Sequence, residues 1–276
     1  MKTWLITGTS TGLGRALALA ALKQGDTVVG TLRNEAQRAE FDALAPGRSR
    51  GVLLDVTREA DIRRVVDEVE AKVGPIDVLV NNAGYGFEST IEEADMADIR
   101  HQFEVNVFGA LGLIKAVLPH MRGRRSGRII NITSIGGMTT GPGMGIYCAS
   151  KFALEAISES LGKEAAGFGV KSTAVEPGAF RTDWAGRSLK RSARSIAEYA
   201  AVCEPISEAR SKRSGHQRGD PAKAAAAILQ IVASDDPPAH LLLGSDALRR
   251  GRARLEELGT EFERWVSLTQ STDFDE

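Results

Sequence analysis

Cysteine is scarce in this chain. Cys148 and Cys203 are the only two among 276 residues, too few for a disulfide framework and without metal-ligand spacing. Such sparing use fits a reducing compartment, so a cytoplasmic location is the expectation. An excess of charge of one sign is also missing: 35 Lys plus Arg stand against 36 Asp plus Glu, for a formal net charge of −1. That balance excludes a strongly basic polyanion-binding surface, and no nucleic-acid partner is expected. Aromatics make up only 5%, but 42% of the residues are hydrophobic, which excludes a disordered chain. No apolar run approaches the ~20 residues of a membrane span, so no membrane partner is expected. KTWLITG at the N-terminus runs straight into a strand and a glycine turn and lacks the basic-apolar-small order of a signal peptide. Histidine is rare as well: His101 and His120 read as surface or helix-end residues with no second ligand at metal spacing, and no metal is expected. Solenoid-period repeats and low-complexity tracts are absent.

What the chain does have is alternation. Apolar runs at 3–7, 27–31, 51–54, 76–80, 128–133, 170–175 and 240–243 read as strands. Between them lie helical patterns: RALALAALKQG after the first run, residues 59–72 with Ile62, Val65, Val66 and Val69 on one face, 97–120, 146–166 and 221–233. Strand–helix alternation of this kind predicts an α/β fold, a Rossmann-type doubly wound parallel sheet of about seven strands in a single domain.

Chemistry collects at the carboxyl ends of these strands. Gly8-Thr-Ser10-Thr11-Gly12-Leu13-Gly14 joins the first strand to a helix. Glycines let backbone approach a pyrophosphate, and free N–H groups at a helix start hold it. After the second strand, where a carboxylate for a ribose 2′-hydroxyl is usual, Arg33 stands instead and suits a 2′-phosphate; Asp26 lies at the strand's wrong end. Asp55-Val56 follows the third strand and Asn82-Ala83-Gly84 the fourth. Asp55 is read either as a helix cap or as a ligand contact. Ser134 ends the fifth strand. Tyr147 and Lys151 in IYCASK fall one turn apart on one helix face. An ammonium fixed beside a phenol lowers a pKa ordinarily near ~10 and gives a proton donor and acceptor usable near neutrality. Asn106, inside an apolar helical stretch, is a poor helix former and costly to bury.

Together, Thr7-Gly8-x-x-x-Gly12-x-Gly14, Asp55, Asn82-Ala83-Gly84, Asn106, Ser134, Tyr147-x-x-x-Lys151 and Pro177-Gly178 followed by Thr182 resemble the short-chain dehydrogenases/reductases in their short, non-extended branch. The resemblance covers about residues 3–246. It implies Tyr147 as general acid/base, Lys151 holding the nicotinamide ribose and depressing the tyrosine pKa, and Ser134 bonding the substrate oxygen. It further implies Asn106 holding a water that links Lys151 to solvent, Asp55 at the adenine, Asn82 to Gly84 beside its ribose, and Thr182 at the nicotinamide amide. The implied activity is hydride transfer between a nicotinamide cofactor and a carbonyl or secondary alcohol. Arg33 favours NADP(H), with NAD(H) as the alternative.

Domain limits follow: 1–246 for the Rossmann domain, with a lid at about 179–219, and 247–276 for a helical C-terminal extension whose last residues, STDFDE, are expected to fray. Residues 179–219 carry no strand periodicity, and their charges, including Lys190, Arg191, Arg210, Lys212 and Arg213, read as a solvated face. Tyr85, Phe87, Ile135, Met138, Met144 and Trp184 are candidates for an apolar substrate wall. Family members commonly pair through the helices bearing Asn106 and Tyr147, which predicts a homodimer or homotetramer. A nucleotide-sensing binder without turnover and an isomerase or dehydratase on the same fold are the alternative readings.

Overall fold

Trp4, Leu5 and Ile6 are consecutive and all fully buried. Successive strand side chains point to opposite faces, so such a run requires a sheet covered on both sides. The computed structural model, which describes residues 1–274, shows that sheet. In chain order the elements are β1 (Thr3–Ile6), α1 (Gly12–Lys23), β2 (Thr27–Leu32), α2 (Glu35–Asp42), β3 (Ser49–Leu53), α3 (Glu59–Lys72), β4 (Val78–Asn81), β5 (Gly86–Glu88), α4 (Met96–Phe103) and α5 (Gly109–Arg124). Then come β6 (Gly127–Ile132), α6 (Gly145–Ala165), β7 (Val170–Pro177), β8 (Leu189–Arg191), α7 (Ala200–Arg213), α8 (Pro221–Ala233), β9 (His240–Leu243) and α9 (Ser245–Gln270).

Seven strands form one parallel sheet in the order β3-β2-β1-β4-β6-β7-β9. The winding reverses between β1 and β4, and a crevice opens there at the carboxyl ends of the strands. Trp4 and Ile6 share one core with Leu17 and Ala21 of α1, Phe41 of α2 and Ile228 of α8. Leu5 faces the other core, with Val65 and Val66 of α3, Leu113 and Val117 of α5 and Leu161 of α6. The helical face expected at Ile62, Val65, Val66 and Val69 is the buried one.

The single α/β domain and its seven-strand parallel sheet agree with the sequence reading, and the differences are local. The expected helix over 97–120 is α4 and α5 joined by a π turn at Glu104–Phe108, which carries Asn106. A short second sheet pairs β5 with β8 in parallel. Residues 179–219 are therefore not without strand, and α7 lies among them. Their two ends meet, with Gly219 N–H donating to Ala179 O (3.1 Å) and Arg181 N–H to Gly219 O (2.9 Å). No helix among the described residues is long and apolar enough to cross a membrane. Of the expected frayed end, Asp275 and Glu276 lie outside the described residues.

Candidate active site

The glycine turn follows β1 and is held from below by β4. Thr7 Oγ1 accepts the N–H groups of Asn82 and Ala83 (both 2.9 Å). Asn82 Nδ2 donates to Thr7 O (2.7 Å) and Gly8 O (3.0 Å). The Asn82 amide is thus committed to shaping the turn, which leaves Ala83 and Gly84 as the accessible members of that strand end. Gly8 N–H donates to Thr31 Oγ1 of β2 (3.1 Å). Gly8 and Gly12 take positive φ (70° and 63°). A Cβ on Gly14 would stand 2.5 Å from Gly8 O, so only glycine lets α1 begin this close to the turn. Thr11 flanks α1 without capping it by its side chain. First-turn N–H groups are therefore left for an anion. Ser10, Thr11 and Gly12 are partly exposed around that end. Leu13 and Val56 pack against the two cores, so a ligand meets their backbone only.

Arg33 follows directly on β2, and its side chain is exposed. The neighbouring Asn34 caps α2 by accepting Gln37 N–H (3.0 Å). Asp26 is buried at the other end of β2, where it accepts from Lys2 N–H (2.8 Å) and Trp4 Nε1 (2.9 Å). Asp55 does not cap α3, whose flanking residue is Arg58. Its carboxylate accepts Thr57 N–H (3.0 Å) and Oγ1 (2.8 Å), and that backbone bond above all lowers its pKa.

On the other side of the crevice, the β6 end and the start of α6 bring Ser134, Tyr147 and Lys151 together. Ser134 Oγ accepts Gly136 N–H (2.9 Å), which leaves its own proton free to donate. Around the point a Cβ on Gly136 would occupy lie Tyr147 Cε1 (3.2 Å) and Ser134 Oγ (3.3 Å). Likewise Asn106 Oδ1 (3.0 Å) and Lys151 Nζ (3.6 Å) crowd the Cβ point of Gly84. Lys151 Nζ donates to Ile132 O (2.9 Å). Thr182, after the Pro177-Gly178 turn, reaches the glycine turn, its Cβ 3.8 Å from a Cβ placed on Gly12.

A family model described as short chain dehydrogenase matches residues 2–192. The chain belongs to that family. Oxidoreductase BOA17 of Botryotinia fuckeliana (strain B05.10) is 38% identical over 270 residues, which span 97% of this chain and 98% of the relative. A 3-ketodihydrosphingosine reductase of Bacteroides thetaiotaomicron is 36% identical over 249 residues, 87% of each chain. A short-chain dehydrogenase from Streptomyces avermitilis, solved as a crystal structure, superposes with a TM-score of 0.93 at 40% identity and covers 99% of this chain and 100% of its own. Other similar solved structures carry NAD (25% identity, TM-score 0.83) or NADP (26% identity, TM-score 0.74).

In this short-chain dehydrogenase the electrostatics depart from the simple expectation for Tyr147. Burial pushes the phenol up to about 12, with the Ser134 hydroxyl pulling it down. Burial lowers Lys151 to about 8, with Glu155 opposing. The ammonium lies 6.0 Å from the Tyr147 ring centroid and is spent on Ile132 O. Burial outweighs any effect of that charge on the phenol. Asn106 is held by neighbouring groups. Its Oδ1 accepts Tyr85 N–H, while its Nδ2 donates to Tyr85 O and to Ser150 Oγ, each at 3.1 Å. The π turn thus ties the β4 exit to α6. Single π turns inside α-helices are frequent at functional sites.

Residues 179–219 close over the phenol. The Trp184 ring lies 5.3 Å from the Tyr147 ring, and Met144 and Leu189 complete the apolar enclosure. Ile135 is buried nearby, whereas Phe87 is fully buried and has no surface for a ligand. Of the charges read as a solvated face, Lys190, Arg191, Lys212 and Arg213 are exposed and Arg210 is half-buried, and several of them are paired. Glu88, buried, holds Arg210 (2.6 Å) and Arg191 (3.3 Å). Glu93 accepts Ser195 N–H (2.7 Å), Ile196 N–H (3.0 Å) and Arg194. Lys190 meets Asp98, and Arg187 meets Thr11 of the glycine turn. Lys212 only meets Glu208 on its own helix. Sequence reasoning missed Leu189, Ser150 and Arg187. Leu189 sits on a three-residue strand, and the partners of the other two lie far away in the chain, so only the heptad-free apolar spot at Leu189 carried any signal.

Proposed function

We propose that this chain is an NADPH-preferring oxidoreductase that interconverts an apolar carbonyl compound and its secondary alcohol, with Tyr147 as the general acid/base. One observation carries the reading: Ser134 and Tyr147 converge at Gly136, under an apolar cover. The residues fit a nicotinamide dinucleotide. The uncapped start of α1 and the close-packed Gly14 suit its diphosphate. Arg33 suits a 2′-phosphate, Asp55 and Val56 with Ala83 and Gly84 suit the adenosine side, and Lys151, Pro177, Gly178 and Thr182 suit the nicotinamide side. When bound, such a cofactor supplies or accepts the hydride.

The protein's part is positional. In reduction the Tyr147 O–H gives its proton to the carbonyl oxygen, and in oxidation the phenolate takes it from the alcohol. The Ser134 hydroxyl donates to the same oxygen, whose negative charge grows as the reaction proceeds. Lys151 supplies positive charge near the phenol and favours the deprotonated form. Trp184, Met144 and Leu189 exclude water and accept an apolar substrate body. The 3-keto substrate named for the Bacteroides relative is of this apolar carbonyl class.

The test is a panel of ketones and aldehydes, from long-chain to sugar-like, read by nicotinamide absorbance with NADPH and NADH. Turnover of apolar carbonyls with NADPH is expected. Cofactor binding with no oxidation of NADPH or NADH by any carbonyl contradicts the proposal.

A further inference from the structure

The helix α9 is 26 residues long, yet only Ala247 and Gly251 in it are buried. Gly251 rests against Leu242 of β9 and Ile135, and Arg250 donates to Thr139 (2.6 Å). Beyond that anchor the helix leaves the body, and every residue from Gly259 to Phe274 is exposed. Its apolar residues are not scattered. Leu248, Gly251, Leu255, Leu258, Phe262 and Trp265 recur alternately three and four apart, the spacing of the a and d positions of a coiled coil. Leu255, Phe262 and Trp265 are 61%, 67% and 52% exposed, and Val266 and Leu268 widen the same stripe. A lone helix of this length is marginal in water, because its stability ordinarily comes from burying its apolar face.

Charge along α9 identifies the occupant. Arg249, Arg250, Arg252 and Arg254 outnumber Asp246 in the first half, and Glu256, Glu257, Glu261 and Glu263 outnumber Arg264 in the second. A parallel copy would set arginine against arginine. An antiparallel copy sets each basic half against an acidic one. With Leu248 as an a position, Arg254 and Glu261 both fall at g positions, which face each other in an antiparallel pair. The same register places Leu255 across from Leu258, and Leu248 across from Trp265. A membrane surface is the poorer match, since the glutamates flank the most apolar part of the stripe and anionic lipid repels them.

We propose that α9 pairs antiparallel with the α9 of a second copy of this chain through the Leu255–Leu258–Phe262–Trp265 stripe. The pairing joins two copies through the C-terminal helix, apart from the catalytic crevice.

Sedimentation equilibrium of the full chain over a concentration series tests it. Phe262→Glu with Trp265→Glu is expected to weaken self-association by at least about tenfold, because two apolar contacts per copy are lost. Arg254→Glu alone is expected to weaken it by roughly two- to tenfold. Adding Glu261→Arg to Arg254→Glu is expected to restore it. In that double variant the Arg254–Glu257 pair within the helix (2.8 Å) stays broken, so recovery reads the contact between copies. An unchanged association constant in the Phe262/Trp265 variant overturns the proposal. So does a charge-swapped variant that stays as weak as Arg254→Glu. A chain that remains monomeric at every concentration, or that binds phosphatidylserine vesicles through α9 instead, overturns it as well.

Discussion

The glycine turn and the 179–219 segment meet at Thr182 and Arg187, and they are fastened by different physics. Neutral hydrogen bonds from Thr7, Asn82 and Thr31 to nearby backbone fix the turn. The segment is held largely by charged groups reaching across from residues 88–98: Glu88 to Arg191 and Arg210, Glu93 to Ser195, Ile196 and Arg194, and Asp98 to Lys190. Tyr199 adds a bond to Glu92 (2.7 Å). Buried neutral bonds among backbone groups leave one arrangement and are little affected by salt. Ion pairs at the edge of a segment weaken with salt and can part without unfolding the core. We propose that one side of the site is a fixed seat and the other a cover that lifts.

The largest effect that would sharpen this contrast lies on the fixed side. Arg33→Ala is expected to reduce the preference for NADPH over NADH by ten- to a hundredfold. A hydrogen bond to a charged group is worth about 1.5–3 kcal/mol, and each ~1.4 kcal/mol is tenfold. The ratio of kcat/KM for the two cofactors measures it, and an unchanged ratio would contradict the assignment of Arg33.

On the cover side, Glu88→Gln leaves Arg191 and Arg210 facing a neutral amide. Hydrogen exchange in residues 189–213 is expected to speed up, by an opening free energy lowered by roughly 1–2 kcal/mol, while β1 and β4 keep their protection. High salt in the wild type should mimic the variant in part. Acid acts on the same cover through Glu93. The Ser195 N–H above all lowers its pKa from 4.5 to about 2. A depressed carboxyl supplies stability above pH 4.5 that is lost as pH falls toward 2, so the cover should loosen in that window.

A smaller effect concerns a carboxyl with no guanidinium of its own. Glu155 is buried one helical turn beyond Lys151 and lies 3.3 Å from His240 Nδ1. Burial raises its pKa from 4.5 to about 7, with the Thr133 hydroxyl opposing and Glu176 adding to the rise. A raised carboxyl contributes stability in full below pH 4.5 and loses it as pH rises through about 7. His240 runs the same way. Burial opposes its charge, Glu176 outweighs that, and its pKa ends above 6.5. Glu155→Gln, neutral throughout, is expected to reduce the fall in stability between pH 5 and pH 8 by on the order of 1 kcal/mol, read from urea midpoints. Equal falls in both proteins would contradict it.

The fixed side was the legible one. Strands buried on both faces, such as Trp4-Leu5-Ile6, announce themselves as continuous apolar runs, and the glycine turn follows from local spacing. Tyr147 and Lys151 share a helix face, as their spacing requires. The extent of the cover was expected but its strand and fastening were not legible, because β8 is three residues long and its fasteners are glutamates about a hundred residues away. Spacing also carries no information on burial. It therefore predicted a phenol already acidified by Lys151, where the structure shows one raised to about 12 beneath Trp184. The inward turn of the Asn82 amide was equally hidden, since a surface-facing and a backbone-clamping asparagine look alike in sequence.

The proton-carrying role of the Tyr147 hydroxyl underlies the proposed chemistry. Its most direct test compares wild type and Tyr147→Phe on the best substrate from the carbonyl panel, with NADPH affinity measured alongside by fluorescence. The account predicts a loss of about 10²–10⁴ in kcat with cofactor affinity held within a few-fold, because the ring stays and only the proton carrier goes. A variant that keeps more than half of the wild-type kcat would contradict it.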